Sequence, residues 1–264
     1  MHGTNEYPFL IDDKGISVFP VTSIALDHDP GTERISSGVE GIDRMLGGDG
    51  FYCGSTILVS GTAGTGKTSL ASKFVDAACQ RGEKAAVFHF EESPGQLIRN
   101  MRSIGIDLAR WTEAGLLHLN AYRPTAFGLE SHLVRIYQTI SNFQPQVVVL
   151  DPVTALMHSG APVETRTMVL RLTDHLKQKG ITAYMTTLTE GGQFTEQTEI
   201  DISSLIDTWL LLRDVEGDGE RNRQLHILKA RGLPHSNQIR EFRISADGIE
   251  LYDPISGAAD GLLG

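Results

Sequence analysis

Short, continuous apolar stretches alternate along this chain with longer stretches in which apolar residues recur at helical spacing. A continuous apolar stretch predicts a strand buried on both faces, and helical spacing predicts a helix that covers a sheet. From residue 35 onward the two kinds alternate, which predicts an α/β fold around a mostly parallel central sheet flanked by helices. The predicted strands are 56–60, 85–90, 116–119, 147–150 and 181–187, and the predicted helices are 69–80, 94–104, 128–141 and 165–179.

The two ends of the chain break this alternation. Helical spacing becomes scarce after residue 187, and 205–212, 223–230 and 239–244 are predicted antiparallel strands that extend the sheet on one side. Residues 216–220 are predicted to form a hairpin turn, and 11–16 to form two short strands joined by a turn. The pattern therefore divides the chain into an N-terminal arm or interdomain linker over 1–34, a core domain over 35–251 and a C-terminal tail over 252–264.

Composition narrows the classes of partner. The chain has 264 residues, 40% of them hydrophobic, and a formal net charge of −10, which argues against broad binding to nucleic acid or to anionic membranes. It contains no apolar run of about 18 residues that would predict a membrane span, and the first residues lack the regions of a secretory signal. We expect a cytoplasmic protein in which Cys53 and Cys79 are packed thiols.

The segment from Gly61 to Thr68 matches the phosphate-binding pattern G-x-x-x-x-G-K-[ST], the P-loop, at every fixed position. It follows a predicted strand and precedes a predicted helix, which is the context this pattern requires. Its glycines allow backbone N–H groups to turn toward phosphate oxygens, and the helix presents its positive end to the same anion. We expect Lys67 to reach the β- and γ-phosphates of ATP and the Thr68 hydroxyl to bind Mg²⁺.

Acidic residues follow two of the predicted strands. Asp151 comes directly after 147–150, and ligands bind at the carboxyl ends of strands in open α/β sheets, so we expect Asp151 to hold Mg²⁺. Glu91 and Glu92 follow 85–90, where one carboxylate can act as a general base and the other can position groups or assist the metal. Adjacent residues of an extended chain face opposite ways, so their roles should differ. The structural alternative is a helix cap, for Asp151 and for Glu92.

Cations and hydroxyls in the last third of the chain leave two interpretations open. Lys229 and Arg231 flank one small residue at a strand end, so alternation places them on one face, with Arg223 upstream. These cations could supply charge to a transferring phosphate, as an arginine finger does, or form a solvated strand face. A hydroxyl-rich segment could be a surface loop or, near the ATP of another subunit, a phosphoacceptor site. Its hydroxyls are Thr198, Ser203 and Ser204.

These motifs together resemble the KaiC-like branch of RecA-type ATPases. The resemblance begins with R-I-S-S-G-V-E-G-I-D-R-M-L-G-G and continues through G-T-A-G-T-G-K-T-S-L, F-H-F-E-E-S and Q-L-I-R-N. V-V-L-D-P-V-T-A-L, L-K-A-R-G and I-R-E-F-R-I-S follow, so the resemblance covers residues 7–251. The chain is similar to the second, C-terminal domain of two-domain members. The arm then corresponds to the segment between their domains, and the tail to a truncated end.

The resemblance implies a RecA-like P-loop NTPase core and a homo-oligomer, a hexameric ring with ATP between subunits. Lys229, Arg231 and Arg223 would reach the γ-phosphate held by a neighbour. Glu91 and Glu92 match the catalytic pair of the family. Ser203 and Ser204 align with its adjacent phosphoacceptors, and Thr198 matches a further hydroxyl. The predicted ATP-binding set comprises Thr62, Ala63, Gly64, Thr65, Gly66, Lys67, Thr68, Ser69, Arg223, Lys229, Ala230, Arg231 and His235.

We therefore expect an ATPase with serine/threonine autokinase activity toward Ser203 or Ser204 of a neighbouring subunit, with Mg²⁺ held by Thr68, Asp151 and Glu91. The alternative is an ATP-dependent hexameric scaffold with slow hydrolysis that recruits a KaiB-like or two-component signalling partner. A RecA-like DNA-dependent ATPase is disfavoured, because residues 189–201 contain four acidic residues and no Lys or Arg.

Overall fold

The computed structural model describes residues 9–12, 15–18, 31–189, 202–217 and 220–252. Its strands are β1 (Phe9–Asp12), β2 (Gly15–Val18), β3 (Arg34–Ile35), β4 (Phe51–Tyr52), β5 (Thr56–Gly61), β6 (Ala85–His89), β7 (Leu117–Ala121), β8 (Val147–Asp151), β9 (Thr182–Leu188), β10 (Thr208–Gly217), β11 (Glu220–Ala230), β12 (Arg240–Ser245) and β13 (Gly248–Leu251). Its α-helices are α1 (Glu40–Met45), α2 (Lys67–Gln80), α3 (Pro94–Arg102), α4 (Leu108–Glu113), α5 (Leu129–Phe143) and α6 (Pro162–Gln178). Short 3₁₀ helices occupy Pro124–Ala126, Val153–Ser159 and Ser203–Leu205.

The described residues form a nine-stranded sheet in the order β13-β12-β11-β10-β5-β9-β8-β6-β7. The strands from β10 to β7 in this order run parallel to one another. On the other side of β10, β11, β12 and β13 continue the sheet in antiparallel orientation. The predicted fold, a RecA-like α/β core with a mostly parallel sheet extended by antiparallel strands, is confirmed.

The parallel strands give this sheet two ends with different chemistry. We call the end where β5, β6, β8 and β9 finish the carboxyl end, and the end where they begin the amino end. At the carboxyl end the strands finish in Gly61, His89, Asp151 and Leu188. At the amino end they begin with Thr56, Ala85, Val147 and Thr182. Every predicted catalytic carboxylate therefore follows or ends a strand at the carboxyl end.

Apolar layers cover both faces of the sheet, as the continuous apolar strands predict. Strands β5, β6 and β8 are buried along their whole length. On one face, Phe74 of α2 stacks on Tyr184 of β9, with 5.2 Å between ring centroids. On the other face, Leu133 of α5 and Leu172 of α6 belong to the core. The central strands of the sheet are thus held between helices on both faces.

A buried carboxylate fixes α2, the helix that follows the P-loop. Asp76 is 2% exposed and accepts hydrogen bonds from Arg110 Nη2 at 2.8 Å and Trp111 Nε1 at 2.7 Å. Gln80 Nε2 donates to the same carboxylate at 2.8 Å. Because a buried charge persists only when its polar partners compensate for lost hydration, this cluster ties α2 to α4. It thereby fixes the helix whose first residue is Lys67.

Several short elements were not predicted from the sequence pattern. Helices α1 and α4 have only 6 residues each, too few turns for helical spacing to show. Residues 205–207 were predicted as strand, but β10 begins at Thr208 because the Ser203–Leu205 turn precedes it. Both predicted hairpins are present, with Ile11 paired to Ile16 and Gly217 paired to Glu220. Within the described ranges, no helix combines the length and apolar character that crossing a membrane requires.

Candidate active site

The P-loop forms a tight turn between β5 and α2. Gly64 and Gly66 have φ angles of +82° and +100°, which residues with a side chain rarely adopt. A Cβ at Gly66 would also lie 2.7 Å from Ile244 Cδ1, so the terminal methyl of Ile244 would have to shift, in addition to the strain that the positive φ imposes. Helix α2 begins at Lys67 with no side-chain cap. Its first N–H groups are therefore arranged to bind an anion.

Lys67 is buried at the start of α2, with 7% of its surface exposed. Its Nζ donates hydrogen bonds to Gly61 O at 2.8 Å and Thr62 O at 2.7 Å. Burial lowers the pKa of Lys67, and the nearby carboxylates of Asp151 and Glu91 oppose that shift. A buried ammonium gains from an anionic ligand, because the negative charge favours its protonated form.

Asp151 ends β8 and is 3% exposed. The Thr186 hydroxyl donates to Asp151 Oδ1, and Asp151 Oδ2 lies 3.4 Å from His89 Nε2, a contact that lacks hydrogen-bond geometry. The helix-cap alternative for Asp151 is wrong, because Pro152 holds the cap position of the Val153–Ser159 helix and no side chain caps it. The carboxylate instead lies among β6, β8 and β9, where it influences Lys67.

Glu91 and Glu92 follow β6 and have different surroundings. Glu91 is exposed, whereas Glu92 is half-buried. Asn100 Nδ2 donates to the Glu92 carboxylate, at 3.3 Å from Oε1 and 3.2 Å from Oε2. The helix-cap alternative for Glu92 is wrong, because the Ser93 side chain caps α3 and forms a capping box with Gln96. The exposed Glu91 suits proton transfer, and the held Glu92 suits positioning.

His89, which the sequence analysis did not single out, lies between the backbone of the two glutamates and the Asp151 carboxylate. It is 4% exposed, and its Nδ1 accepts hydrogen bonds from the backbone N–H of Glu91 at 3.2 Å and Glu92 at 3.1 Å. Since Nδ1 accepts, the hydrogen-bond pattern assigns the ring proton to Nε2, the atom next to Asp151. A single histidine at the end of an apolar strand gives no signal of this role in the sequence.

The residues at the carboxyl end fit ATP together with Mg²⁺. The uncapped start of α2 and the buried Lys67 suit phosphate oxygens. The Thr68 hydroxyl and the Asp151 carboxylate are the hard oxygen donors that Mg²⁺ prefers. Among the described residues, no group of three or more His, Cys, Asp or Glu side chains could hold a metal. Mg²⁺ usually takes one or two protein ligands and completes its shell with phosphate and water.

Two of the predicted cations, Lys229 and Arg231, contact the segment that carries two of the predicted phosphoacceptors, Ser203 and Ser204, at the amino end. Lys229 Nζ donates to Ser203 O at 2.8 Å, and Arg231 Nη2 donates to Ser204 O at 2.9 Å. Burial lowers the pKa of Lys229, and the neighbouring Arg231 adds to that shift. Ser203 is half-buried and Ser204 is exposed. The turn that carries both hydroxyls is therefore fixed through its carbonyls while remaining at the surface.

Strand register places these cations far from the P-loop of the same chain. Arg231 N donates to Asp207 O, and Asp207 N donates to Thr56 O. Arg231 therefore lies level with the first residue of β5, whereas the P-loop follows its last residue, Gly61. At about 3.3 Å per residue, these two levels are about 17 Å apart. Lys229 and Arg231 both bind the Ser203–Leu205 turn at the amino end, remote from the phosphates that their own P-loop would hold.

Arg223 lies apart from these two cations. In the strand register, Arg223 lies opposite Asp214 of β10. The Asp214 carboxylate is close enough to Lys67 to influence the pKa of Lys67. Arg223 and Lys229 lie six positions apart along β11, which corresponds to about 20 Å of strand. The buried Nε of Arg223 has no hydrogen-bond partner within the described part of the chain. Its position is near the nucleotide site of its own chain.

The remaining predicted ATP-binding residues are divided between the two ends. Ala230 is buried next to Lys229. His235 is exposed, and its Nδ1 lies 3.3 Å from Leu233 O. Thr198 lies outside the described residues. Four others lie in the P-loop or directly after it: Thr62, Ala63, Thr65 and Ser69.

Asp207 and Lys177 also belong to the amino-end cluster, although the sequence did not indicate them. The Asp207 carboxylate accepts the Thr56 N–H at 2.9 Å and pairs with Lys177 at 2.7 Å. It also lies 3.9 Å from Arg231 Nη1. These residues come from separate elements, so no local pattern could have brought them together before the sheet was known.

Comparison with known proteins identifies the family of this chain. The family model for the KaiC ATPase matches residues 35–256. "Circadian clock protein KaiC2" of Synechocystis sp. is 49% identical over an alignment of 265 positions, which covers 100% of this chain and 47% of that protein. "Circadian clock oscillator protein KaiC" of Picosynechococcus sp. is 42% identical over 253 residues, 96% of this chain and 49% of that protein.

The protein of the same name in Acaryochloris marina is 41% identical over 251 residues, which are 95% of this chain and 48% of that protein. The chain thus spans slightly less than half the length of these relatives, which it matches along nearly all of its own residues. Both the family match and the relatives cover the P-loop, the glutamate pair, β11 with Lys229 and the following Arg231. The chain therefore belongs to the KaiC family of nucleotide-binding ATPases.

Proposed function

We propose that the protein hydrolyses ATP and transfers the γ-phosphate of ATP to Ser203 or Ser204 of a neighbouring copy, in sites shared between subunits of a homo-oligomer. The observation that carries this proposal is the separation of the two halves of the site. Lys67, Glu91 and Asp151 belong to the carboxyl end, whereas the acceptor turn belongs to the amino end. One chain cannot bring its own serines to its own nucleotide without refolding the sheet.

The carboxyl end of one subunit would hold and activate the nucleotide. The P-loop N–H groups and Lys67 bind the phosphates, and Glu91 orients the attacking hydroxyl and accepts its proton. Glu92, held by Asn100, keeps the segment in place. Bound Mg²⁺, held by Thr68 and Asp151 with Glu91 as a third candidate, would neutralise charge on the β- and γ-phosphate oxygens.

The amino end of the next subunit would complete the reaction. A serine oxygen forms a bond to the γ-phosphorus while the bond from that phosphorus to the β,γ-bridging oxygen breaks, so that ADP leaves. Water in place of serine gives hydrolysis by the same route. Lys229 and Arg231 stabilise the charge that develops on the transferring group, as trans-acting cations do in other nucleotide hydrolases. Both cations bind the carbonyls of Ser203 and Ser204. The serine hydroxyls and the positive charges would therefore reach the nucleotide of the neighbouring subunit together.

The shared site also constrains how copies assemble. The interface joins the carboxyl end of one subunit to the amino end of the next, so the two contacting surfaces differ. Such a head-to-tail interface closes into a ring or continues as a filament, whereas a two-fold dimer uses the same surface twice. We therefore propose a ring, and the hexamer expected from the family resemblance is its specific form.

The test is to incubate the purified protein with Mg-ATP, measure ADP release and locate phosphate by peptide mass spectrometry. We expect ADP release together with phosphate on Ser203 or Ser204. Glu91→Gln combined with Glu92→Gln should reduce both by about 10²- to 10⁴-fold, the range typical of losing a general base, while ATP still binds. Unchanged turnover in this variant would show that neither glutamate is the base.

A matched acceptor variant separates the two activities. Ser203→Ala combined with Ser204→Ala should abolish protein phosphate and leave ADP release in place, because water remains as the nucleophile. ADP release without any protein phosphate in the unmodified protein would contradict the autokinase part and leave an ATPase.

A second function is favoured by the names of the relatives, which are circadian clock proteins. In that case ATP mainly holds a cytoplasmic ring together and its nucleotide state recruits a KaiB-like or two-component signalling partner. ATP-dependent assembly with very slow turnover would favour this function over phosphate transfer.

A further inference from the structure

We propose that His89 is a positioning residue that sets the Glu91–Glu92 segment against Asp151 for phosphoryl transfer. This inference rests on the proposed ATPase activity. His89 is the last residue of β6 and is 4% exposed, yet it is a polar side chain inside an otherwise apolar strand. Its ring makes contacts in two directions, and each contact involves a group that the reaction needs.

The first contact fixes the backbone of the glutamates. Up to Phe90 the chain is held by the sheet, since Phe90 N donates to Asp151 O at 3.1 Å. Beyond that point the chain leaves the sheet, and His89 Nδ1 takes over by accepting the N–H groups of Glu91 at 3.2 Å and Glu92 at 3.1 Å. The imidazole therefore extends the order of β6 by two residues, and those residues are the candidate catalytic pair.

The second contact places the same ring against the candidate Mg²⁺ ligand. His89 Nε2 lies 3.4 Å from Asp151 Oδ2, while the Thr186 hydroxyl holds Oδ1. The contact lacks hydrogen-bond geometry, so Nε2 has no hydrogen-bond partner in the described structure. One rigid ring thus spans the distance between the glutamate backbone and the aspartate carboxylate. Moving or shrinking the ring changes the spacing between base and metal ligand.

This role predicts a loss of rate without a loss of ATP affinity. ATP affinity depends on the P-loop and Lys67, neither of which contacts His89 through a hydrogen bond that we observe. The rate depends on the geometry of Glu91, and a misplacement of about 1 Å in a catalytic group can cost about 10²-fold. His89→Ala should therefore lower kcat by about 10- to 100-fold, the range typical of removing an outer-shell partner, with the Kd for ATP unchanged.

Two conservative variants separate the two contacts. In His89→Asn the amide oxygen occupies the place of Nδ1 and can accept the two backbone N–H groups, but nothing replaces Nε2. In His89→Gln the longer amide can replace Nε2 near Asp151. Because only the Nδ1 contacts are hydrogen bonds, His89→Asn should recover most of the kcat that His89→Ala loses, and His89→Gln should recover less.

The measurement is kcat for ADP release and the Kd for ATP, with thermal unfolding of each variant to confirm that it folds. A His89→Ala protein with unchanged kcat, a change confined to ATP affinity, or recovery by His89→Gln rather than His89→Asn would overturn the inference. Failure of His89→Ala to fold would leave the comparison between His89→Asn and His89→Gln, which are similar in size and decide the same question. Absence of turnover in the unmodified protein would instead contradict the proposed ATPase activity.

Discussion

The two ends of the parallel sheet differ in almost every property that matters for catalysis. The carboxyl end carries a P-loop, a buried lysine and three carboxylates, those of Glu91, Glu92 and Asp151. The amino end carries Lys229 and Arg231, which hold a turn with two adjacent serines. About 17 Å of β5 separates them. Each end has what the other lacks, and this difference is the basis for the proposal that two subunits together complete one site.

Charge follows the same division. On a chain of net charge −10, the amino end gathers the cations Lys177, Lys229 and Arg231 around the carboxylate of Asp207. The carboxyl end gathers carboxylates around Lys67. A bound nucleotide adds several negative charges at the carboxyl end, which the amino end of a neighbour can balance. Assembly and nucleotide binding should therefore support one another.

The largest effect should come from removing the amino-end cations. Lys229→Ala combined with Arg231→Ala should lower ADP release by about 10³-fold or more, the scale typical of losing a trans-acting arginine, and should abolish phosphate on the serines. Steady-state ADP release and mass spectrometry measure both losses. Arg44→Ala is a matched control, because Arg44 is exposed and pairs only with the exposed Glu40 among the described residues. Equal activity in the double variant and the control would contradict a role for these cations.

Much of the carboxyl end could be predicted from local sequence. The P-loop and Asp151 each combine a fixed residue type with an adjacent apolar strand, and both signals lie within a few neighbouring residues. The same locality explains the strands themselves, because burial on both faces leaves a continuous apolar run. The role of His89 could not be predicted from the sequence. Its neighbours are two backbone amides and a carboxylate on another strand, and the residue pattern around His89 does not indicate either.

The amino end was predictable only in part. Alternation placed Lys229 and Arg231 on one face, but their bonds to the carbonyls of Ser203 and Ser204 join segments more than twenty residues apart. Arg223 was grouped with them by the family resemblance. Strand length then separated it, since β11 carries Arg223 toward the carboxyl end. Alternation in a sequence predicts which face of a strand a side chain occupies. Which end of the sheet that side chain reaches depends on the strand register, which the sequence does not give.

A smaller effect should follow from Arg223→Ala, which tests to which end this residue belongs. We expect a loss of about 10-fold in ADP release, because one charge near the phosphates is removed while the trans-acting pair remains. When Arg223→Ala subunits are mixed with Lys229→Ala, Arg231→Ala subunits, activity should rise above either alone. If Arg223 instead acted on the nucleotide of the neighbouring subunit, both variants would be defective at the amino end. No interface in the mixture would then contain two intact ends, and activity would not recover.

The smallest effect should come from the cap of α3. Ser93→Ala removes a capping box directly after Glu92 and should lower the free energy of unfolding by about 1 kcal/mol. Because His89 and Asn100 still hold the glutamates, kcat should change by less than about threefold. Denaturant unfolding and steady-state turnover measure these changes. A collapse of kcat with unchanged stability would mean that the cap, rather than His89, positions the pair.

The most direct measurement is complementation between two inactive subunits, one defective at each end. Glu91→Gln, Glu92→Gln subunits keep their amino end, and Lys229→Ala, Arg231→Ala subunits keep their carboxyl end. After mixing at equal amounts and reassembly with Mg-ATP, about one quarter of head-to-tail interfaces should contain two intact halves. We predict that ADP release returns to about one quarter of the unmodified rate. A mixture that stays as inactive as its components would contradict a site shared between the two ends of neighbouring subunits.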